Sequence, residues 1–586
     1  MKEGQKVYKT ILGSLREFKK PAILTMVLII GEVFFEVLIP FYTARLVNNI
    51  KAGVEMQEML RLGLILVVMA LLSLACGAVA GYTCANASTG FGKNLRRDVF
   101  ERIQSFSFEN IDKFSTSSLV TRMTTDITNV QFAFMMLIRV AIRSPLMMVF
   151  AIVMAYYMGG SLATTFVVII PVLVAGFLLI AKYAMPAFRA VFKKYDRMNE
   201  SIEENVRAMR VVKGFAREEY EKEKFNKASD NIRKDFTHAE RIVALNSPLM
   251  QLCLYFNMVF VLYVGSKLII SSGGRTIDVG QISAMLSYGM QVLMSLMMIS
   301  MIYVMLTMSV EAMRRITEVL TEEPSIRSPG FAATFVPNGS VDFEGVSFKY
   351  SAGADANALS NIDLNIRSGM TVGILGGTGA GKTTMIQLIP RLYEATEGTV
   401  RVGGIDVKNY DMATLRDAVG IVLQKNQLFS GTIRYNLLWG NPEAAEEEIR
   451  EACKLAQADE FIQSFPEGYD TWIEQGGTNV SGGQKQRLCI ARALLKKPKI
   501  LILDDSTSAV DTRTDALIRE GFRSYIPETT KIIIAQRVAS VEDADLILVM
   551  DGGKIADMGT HEELMQKSEI YREIYEQQNR GGEIHE

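Results

Sequence analysis

Apolar residues dominate the first half of the chain, in runs long enough to cross a lipid bilayer. A membrane-spanning helix needs about 20 mainly apolar residues. Six runs reach that length, near residues 21–45, 60–86, 130–157, 160–184, 244–271 and 279–309. The pattern therefore predicts six membrane-spanning helices within residues 1–320.

The polar segments between these runs predict the membrane topology. The segments at 46–59, 158–159 and 272–278 are short, whereas those at 87–129 and 185–243 are long, polar and helical in pattern. The two long segments carry many basic residues: Lys93, Arg96, Arg97, Arg102, Lys193, Lys194, Arg207, Arg210, Lys213 and Arg217. Because basic residues favour the cytoplasmic side of a membrane, we predict that both termini and both long segments are cytoplasmic. The chain is then a multi-pass protein of the cell membrane, inner or plasma.

The second half of the chain has the pattern of a soluble α/β domain. Residues 321–340 are rich in proline, glycine and charge, which is typical of a linker between domains. Alternating residues from Val341 to Tyr350 predict a first strand. Four further apolar runs predict buried strands, and they end at Leu375, Gln424, Asp505 and Gln536.

The segment after the first of these runs is the most specific motif in the sequence. It consists of Gly376-Gly377-Thr378-Gly379-Ala380-Gly381-Lys382-Thr383, and a helix-prone segment begins at Thr384. Glycines allow backbone N–H groups to converge on phosphate oxygens, and the N-terminus of a helix adds a positive dipole. Lys382 can reach the β- and γ-phosphates, and the Thr383 hydroxyl can ligate Mg²⁺. The motif predicts a binding site for a nucleoside triphosphate.

Other segments add candidate binding residues. Tyr350 could stack on an adenine ring. The segment Ser481-Gly482-Gly483-Gln484 precedes a helix and predicts a second anion site. Asp504 can hold Mg²⁺, and Asp505 lies where a general base or a water-orienting group would be. Two phosphate-binding elements so far apart in sequence are explained if two such domains meet head to tail, each nucleotide being capped by the partner's Ser-Gly-Gly turn.

This ordered set of motifs resembles the ATP-binding cassette (ABC) family. The P-loop corresponds to Walker A, Gln424 to the Q-loop, Ser481–Gln484 to the signature, Leu501–Asp505 to Walker B and Ser508–Asp511 to the D-loop. With six preceding spans, essentially the whole chain resembles an exporter-type ABC half-transporter. The resemblance implies an all-α six-helix transmembrane domain in 1–320, a linker at 321–340 and an α/β P-loop NTPase domain in 341–586.

The resemblance also implies an ATPase coupled to transport, with ATP and Mg²⁺ as cofactors and a second ABC half-transporter as partner. The residues implied to bind the nucleotide are Tyr350, Gly376, Gly377, Thr378, Gly379, Ala380, Gly381, Lys382, Thr383, Thr384, Ser481, Gly482, Gly483, Gln484 and Asp511. Those implied to act in catalysis are Asp505, Gln536, Gln424 and Lys382, and those implied to bind the metal are Thr383, Gln424 and Asp504. Membrane lipid and an amphipathic small-molecule substrate are the other expected partners, and no nucleic acid is expected.

The sequence departs from the family pattern at the catalytic positions. The carboxylate after Walker B is Asp505 instead of glutamate, and the switch residue is Gln536 instead of histidine. A third departure is Gln475, where exporters usually have a glutamate ahead of the signature. Aspartate is one methylene shorter than glutamate, and misplacing a reacting group by about 1 Å can cost about 100-fold in rate. Glutamine brings neither a proton nor a positive charge to the γ-phosphate.

This combination resembles the degenerate-site subunit of heterodimeric bacterial multidrug exporters. The resemblance implies that the chain's own Walker motifs bind ATP but hydrolyse it slowly, while Ser481, Gly483 and Asp511 complete the active site of the partner. A homodimer with two slow sites is the alternative. Export of hydrophobic or amphipathic compounds is the first expectation for the substrate, and lipid or peptide export is the alternative. A non-transporting ABC regulator is a further alternative, which no appended regulatory segment supports.

Two tips of the long cytoplasmic segments, 112–118 and 214–220, could each form a short helix that rests on a nucleotide-binding domain. The alternative for both is a solvated loop, because loops are loosely specified by sequence.

Charged residues occur inside two predicted spans. Glu32 and Glu36 lie four residues apart in the first span, and Arg139 and Arg143 lie four apart in the third. Ionisable groups at membrane depth usually face protein or water and are paired. We expect these residues to neutralise each other or to line the transport pathway. The alternative is that they lie near the headgroups, where long side chains reach the interface.

The sixth span is rich in methionine: Met285, Met290, Met294, Met297, Met298, Met301, Met305 and Met308. Methionine is flexible and polarizable, so such a surface can adapt to varied apolar ligands. With Tyr288, Tyr303, Phe256 and Phe260, the cluster predicts a cavity for hydrophobic compounds. Ordinary helix packing is the alternative for each methionine alone.

Composition changes this picture little. The chain has 586 residues, too many for one domain. Its net charge of −1 gives no indication of acidic or nucleic-acid partners. The five cysteines Cys76, Cys84, Cys253, Cys453 and Cys489 show no paired spacing, so we expect buried thiols instead of disulfides or metal ligands.

Overall fold

The computed structural model describes residues 2–273, 275, 277–351, 353, 356–505 and 510–580. Its contacts divide the chain into two compact units. The first comprises Met1–Gln104 and Thr116–Glu322, and the second comprises Ser105–Ser115 and Glu323–Glu586. A short segment from the membrane half of the sequence therefore belongs to the second unit.

Helices account for all the regular structure in the described part of the membrane half. In chain order they are α1 (Lys2–Gly13), α2 (Lys19–Ala52), α3 (Met56–Gln104), α4 (Phe108–Phe114), α5 (Thr116–Thr121), α6 (Ile127–Gly159), α7 (Thr164–Arg207), α8 (Met209–Gly214), α9 (Glu218–Ala244), α10 (Asn246–Ser272) and α11 (Val279–Thr321). Helix α4 lies in the second unit, and the other helices form the first.

Within the described residues, five continuous helical stretches are long and apolar enough to cross a membrane: Arg16–Ala52, Met56–Gln104, Thr116–Arg207, Glu218–Ser272 and Val279–Thr321. The third stretch is 92 residues long and contains two of the predicted spans. A 3-10 turn at Gly160–Ala163 separates these two spans into α6 and α7. The helices continue well beyond the apolar runs, and α3 reaches Gln104 although its run ends near residue 86.

The core of the first unit lies among α2, α3, α6 and α11. It is built from buried side chains such as Ile29, Val33, Ala80, Ala151 and Met285. Helices in a membrane associate through close packing, since lipid tails are as apolar as leucine. Small residues such as Ala80 and Ala151 let the helix backbones approach closely.

The second unit contains two main sheets. The strands are β1 (Val341–Phe348), β2 (Leu359–Ile366), β3 (Thr371–Gly376), β4 (Glu397–Val402), β5 (Ile405–Asp406), β6 (Val419–Val422), β7 (Gly431–Thr432), β8 (Trp472–Ile473), β9 (Ile500–Asp504), β10 (Thr530–Ile534), β11 (Leu546–Asp551) and β12 (Lys554–Gly559). Strands β2-β1-β4-β5 form an antiparallel sheet. Strands β12-β11-β3-β10-β9-β6 form the central sheet, which is parallel except for β12.

Helices cover the central sheet. They are α12 (Lys382–Leu388), α13 (Met412–Ala418), α14 (Ile433–Leu438), α15 (Glu446–Leu455), α16 (Asp459–Ser464), α17 (Gly482–Leu495), α18 (Thr512–Tyr525), α19 (His561–Lys567) and α20 (Glu569–Arg580). Strands β9 and β10 are fully buried along their length, as is typical of parallel strands covered on both faces. An all-α membrane domain followed by an α/β nucleotide-binding domain is confirmed.

Three strands end two residues earlier than the sequence pattern predicted, among them β10, which ends at Ile534 instead of Gln536. Strand β1 ends at Phe348, so Tyr350 follows it instead of closing it. Strand β6 ends at Val422, and Gln424 lies in the exposed loop beyond it. Alternation of apolar residues marks the buried part of a strand but not the point where its pairing stops.

Four of the five cysteines are buried, and Cys76 is half-buried. All five are free thiols, so the expectation of buried thiols is correct apart from the partial exposure of Cys76.

Candidate functional site

The central sheet brings the main candidate residues to one edge. Strand β10 pairs with β3 on one side and with β9 on the other, all in parallel. Their carboxyl ends therefore lie together, and ligands of open parallel sheets bind at that edge. The P-loop follows β3, Asp504 and Asp505 lie at the end of β9, and Gln536 follows β10.

The P-loop requires glycine at positions where no side chain fits. Gly376 has φ +149°, and a Cβ there would lie 2.2 Å from the carbonyl oxygen of Met550. Gly381 has φ +91°, and a Cβ there would lie 2.8 Å from the carbonyl oxygen of Ala358. Both positions thus combine an unusual backbone angle with close neighbouring backbone, which only glycine accommodates.

Lys382 is the first residue of α12, and its side chain folds back onto the P-loop. Its Nζ donates to the carbonyl oxygens of Gly376 and Gly377, at 2.8 Å each. Burial lowers the pKa of Lys382, while the charges of Asp504 and Asp505 act in the opposite direction. The ammonium is thus held inside a ring of backbone groups at the N-terminus of a helix, which is where a phosphate group would be bound.

Thr383 and Asp504 form a pair of oxygen ligands. The Thr383 hydroxyl donates to both carboxylate oxygens of Asp504, at 3.2 and 3.0 Å. Asp504 is buried, and burial is the main cause that raises its pKa, to which the charge of Asp505 adds. A hydroxyl and a buried carboxylate are ligands that Mg²⁺ takes, so the pair fits a magnesium ion that accompanies a nucleotide.

Two of the three departures from the family pattern contact each other. Gln536 Nε2 donates to Asp505 Oδ2 at 2.6 Å. Asp505 has φ +48°, and its backbone N–H donates to the carbonyl oxygen of Ile534 at 3.0 Å. The end of β10 and the residues after it therefore fix both the backbone and the carboxylate of Asp505.

The C-terminal helix α20 holds the Gln536 segment, a feature that sequence reasoning missed. Gln578 Nε2 donates to the Gln536 carbonyl oxygen, and Gln578 Oε1 accepts from the Val538 N–H, both at 2.8 Å. Nothing in the local sequence around Gln578 indicates this contact, because the partners lie 42 residues apart.

Tyr350 lies beside the P-loop helix. Its hydroxyl shares a hydrogen bond of 2.9 Å with the hydroxyl of Thr384. Its side chain is 48% exposed, so part of the ring remains open to a stacking partner.

Ser481 and Asp511 are both helix N-caps. The Ser481 hydroxyl accepts from the Gln484 N–H, and the Ser481 N–H donates to Gln484 Oε1, which together form a capping box for α17. Asp511 accepts from the N–H and the hydroxyl of Thr514 at the start of α18. Ser508 of the predicted D-loop lies outside the described residues. Among the residues that the structure describes, no hydrogen bond joins the Ser481 turn to the P-loop.

The charged residues of the predicted spans are paired within the first unit. Arg143 Nη2 donates to both carboxylate oxygens of Glu36, at 2.7 and 2.6 Å, and Arg143 Nε lies 3.5 Å from Glu32 Oε1. The expected pairing is thus confirmed for these three residues, although one arginine can balance the charge of only one of the two carboxylates. Arg139 has no carboxylate within 4 Å in the described part of the chain.

A cavity of about 560 Å³ adjoins this ion pair. Its wall includes Glu36, Arg143, Met290, Gln291, Met294 and Met298. Three of the eight methionines thus line one cavity, whereas Met285 packs in the core. The expectation for Tyr288 is wrong: this side chain is fully buried, and its hydroxyl donates to the Val37 carbonyl oxygen at 2.8 Å. A buried phenol needs such a partner, which draws the ring away from the cavity.

Part of the first predicted tip lies in a helix of the second unit. Helix α4 covers 108–114, and the side chain of Asn110 connects it to the segment after α11. Asn110 Nδ2 donates to the Glu323 carbonyl oxygen, and Asn110 Oδ1 accepts from the N–H groups of Ser107 and Ser325, each at 3.1 Å. A short helix of the second unit is thus confirmed for 112–114 only: α4 ends at Phe114, and 116–118 belong to α5 in the first unit. At the second tip, α8 ends at Gly214, and docking of that tip stays a prediction.

Comparisons with known proteins agree with these features. A model described as "ABC transporter transmembrane region" matches residues 22–296, and one described as "ABC transporter" matches residues 359–508. The uncharacterised ABC transporter ATP-binding protein YfiB of Bacillus subtilis is 35% identical over 97% of this chain and 98% of its own length. A fatty acid ABC transporter ATP-binding/permease protein of Mycobacterium bovis is 33% identical over 82% of this chain and 75% of its own length.

Among solved structures, a bacterial Atm1-family ABC exporter with ATP bound superposes with a TM-score of 0.81 at 25% identity. The match covers 96% of this chain and 98% of the exporter chain. The two chains thus share their fold over nearly the full length, with a helical membrane domain and a parallel-sheet ATPase domain. We conclude that this chain belongs to the ABC transporter family, as an exporter-type half-transporter in which a transmembrane domain is fused to an ATPase domain that works in transport.

Proposed function

We propose that the chain exports hydrophobic or amphipathic compounds across the cell membrane as one half of a heterodimer, and that its own ATP site hydrolyses slowly. The hydrogen bond between Gln536 and Asp505 is the observation that carries this proposal. ATP and Mg²⁺ are its cofactors, with Lys382 on the phosphates and Thr383 and Asp504 on the metal. Both termini are cytoplasmic, where ATP is available.

Slow hydrolysis follows from the chemistry of the two residues. A general base must reach the proton that it removes, and the Asp505 carboxylate is short and engaged by an amide. Gln536 is neutral at every pH, so it cannot supply charge to the γ-phosphate in the transition state. The site retains the groups that bind ATP and lacks those that speed its cleavage.

The intact signature suits a partner with a competent Walker B motif. Ser481 caps α17 and leaves the first-turn N–H groups of Gly482 and Gly483 at a helix N-terminus, where an anion is favoured. In the heterodimer Ser481, Gly483 and Asp511 serve the ATP of the partner chain. A homodimer with two slow sites is the competing assembly.

The substrate proposal is supported by the cavity beside the Glu36–Arg143 pair. Met290, Met294 and Met298 give it an adaptable apolar wall, and Gln291 Oε1 is a buried acceptor without a hydrogen-bond partner in the described residues. An amphipathic compound with a hydrogen-bond donor suits both features. The name of the Mycobacterium bovis relative supports lipid export as the second candidate.

The first test is the ATPase activity of the purified chain alone, beside a variant carrying both Asp505→Glu and Gln536→His. We expect the wild type to be nearly inactive and the double variant to gain activity, because the glutamate and histidine restore a base and a charged group. Lys382→Ala in the double-variant background is the matched control, and it should abolish the gain.

Wild-type turnover of about 1–10 per second without a partner would contradict the heterodimer and favour a homodimer with working aspartate sites. Absence of ATPase activity in both proteins would show that the chain does not pair with itself. Purification of the native complex through a tag on this chain would then identify the partner.

A further inference from the structure

We propose that Tyr393 positions the ring of Tyr350 and transmits the presence of a bound adenine to the tip helix α4. The proposal rests on the nucleotide site proposed above. Tyr393 lies in the segment between α12 and β4, outside every motif named so far.

Tyr393 fixes the ring of Tyr350 by edge-to-face contact. The two ring centroids are 5.3 Å apart, with an angle of 86° between the planes. Phe348 completes a cluster of three rings, at 4.9 Å from Tyr350 and 5.6 Å from Tyr393. Perpendicular arrangements of this kind are favourable for aromatic pairs. Together with the Thr384 hydrogen bond, they define the plane that a stacked base would meet.

The other end of Tyr393 contacts the tip. Its hydroxyl donates to Asp112 Oδ2 at 2.6 Å, and the ring of Phe108 lies 5.9 Å away. Both partners belong to α4, which is part of the same compact unit as Tyr393. Burial, followed by the hydrogen bond to Asp112, raises the pKa of the Tyr393 phenol, so the hydroxyl keeps its proton and remains a donor.

The geometry singles out the base as the part of the nucleotide that the tip detects. One side chain contacts both the base-stacking residue and α4. In contrast, the groups proposed to hold phosphate and metal, Lys382 and Thr383, have their hydrogen bonds with the P-loop and Asp504. Stacking of adenine restricts the Tyr350 ring, and this restriction stabilises both contacts of Tyr393. The tip then becomes more ordered when a base, and not merely a triphosphate, is bound.

The test measures amide hydrogen exchange of residues 105–115 in the full-length chain, in lipid nanodiscs, with ATP or with inorganic tripolyphosphate at saturation. Tripolyphosphate can occupy the P-loop but has no base to stack on Tyr350. We expect ATP to slow exchange at the tip several-fold and tripolyphosphate to leave it nearly unchanged. The affinity for ATP is measured in parallel by displacement of a fluorescent ATP analogue.

Two variants separate the hydroxyl from the ring. Tyr393→Phe keeps the ring, so ATP affinity should stay within about twofold of wild type, while the ATP-dependent slowing at the tip is lost. Tyr393→Leu removes the ring, so ATP affinity should fall by about 3- to 10-fold. Tyr410→Phe is the control for loss of a tyrosine hydroxyl in the same unit, since the Tyr410 hydroxyl donates to the Val402 carbonyl oxygen at 2.8 Å and does not contact α4. It should change neither measurement.

Equal slowing by tripolyphosphate, or slowing retained in Tyr393→Phe, would overturn transmission through the hydroxyl. Unchanged ATP affinity in Tyr393→Leu would overturn the positioning role. Failure of the wild-type chain to bind ATP would instead contradict the proposed nucleotide site, so the two failures are distinguishable.

Discussion

Asp505 is held in a backbone conformation that few residue types adopt. Its φ of +48° lies in the left-handed region, where aspartate is better tolerated than most side chains. The hydrogen bond from its N–H to the Ile534 carbonyl oxygen fixes this conformation. A glutamate at this position keeps the same backbone hydrogen bond, so the Asp505→Glu variant is expected to fold and only its carboxylate to move.

Mg²⁺ should strengthen ATP binding through Asp504. Asp504→Asn keeps the size of the side chain but removes its charge, so Mg²⁺ should no longer increase ATP affinity in the variant. In the wild type the raised pKa of Asp504 means that protons compete with Mg²⁺ at a higher pH than for an ordinary aspartate. The Mg²⁺-dependent part of the affinity should therefore be full at neutral pH and be lost on acidification.

Displacement of a fluorescent ATP analogue, with Mg²⁺ or with a chelator over a range of pH, measures both effects. Asp417→Asn is a suitable control, because Asp417 is an exposed carboxylate on α13. An Asp504→Asn variant that keeps its full response to Mg²⁺ would rule out Asp504 as a ligand.

For single residues, the sequence predicted the motifs whose members are contiguous, and it missed hydrogen bonds between residues far apart in the chain. The P-loop is recognisable because its glycines, lysine and threonine occupy consecutive positions with a fixed geometry. The contact between Gln536 and Asp505 spans 31 residues, and that of Gln578 with Gln536 spans 42. Such contacts depend on how strands and helices pack, which local patterns do not determine.

The buried amide of Asn110 contributes two of the hydrogen bonds that attach helix α4 to the segment after α11. Asn110 uses both its donor and its acceptor atoms, and it satisfies the backbone groups of Ser107, Glu323 and Ser325. A buried polar group that loses its partner costs about 1–3 kcal/mol. The side chain therefore ties the tip to the segment that leaves α11.

Replacing Asn110 by alanine should loosen this attachment. We expect Asn110→Ala to lower the free energy of unfolding by about 2–3 kcal/mol, because two backbone N–H groups and one carbonyl oxygen lose their partner. Thermal unfolding of the purified chain and the rate of proteolysis within residues 321–340 both report this change.

Gln463→Ala serves as its control, since that exposed side chain has a surface hydrogen bond to Asp459. The control should leave the melting temperature and the proteolysis rate unchanged. An Asn110→Ala variant as stable as wild type would show that other contacts hold the tip.

Elements were predicted well where burial alone determines them. Length and apolarity located the membrane-spanning helices, and short apolar runs located β9 and β10. The pattern did not reveal that residues 105–115 join the other unit, because their pairing partners follow α11 more than two hundred residues later. The pattern also could not predict which methionines of the sixth span line a cavity and which pack in the core, since both environments are apolar.

For the whole transporter, the heterodimer predicts that the two ATP sites respond differently to substitutions in this chain. In the native complex, Ser481→Arg should abolish most ATPase activity, because it blocks the signature that serves the competent site. Lys382→Ala should leave a large share of the ATPase activity, because it impairs only the slow site. ATPase assays of complexes purified from membranes measure both.

Gln463→Ala, at an exposed side chain of α16, provides a control outside both motifs. Equal loss of activity in Ser481→Arg and Lys382→Ala would contradict two unequal sites. That result would favour a symmetric homodimer, in which each chain supplies both motifs to equivalent sites.

At this scale the order of the motifs and the number of apolar runs were sufficient to predict an ABC exporter. Substrate choice could not be predicted, because a cavity such as that beside Glu36 and Arg143 is assembled from three helices. Its shape depends on side-chain packing, and similar methionine-rich walls suit many apolar compounds.

The membership of Ser105–Ser115 in the second unit has a consequence for synthesis. The ribosome makes this segment about 200 residues before Glu323, where the rest of that unit begins. At about 5–20 residues per second, the segment waits roughly 10–40 s for the first of its partners. Phe106 and Phe114, which stack on each other in the folded protein, lack the rest of their unit throughout that interval. Completion of the ATPase domain is thus tied to a segment that leaves the ribosome while most of the membrane helices are still being made.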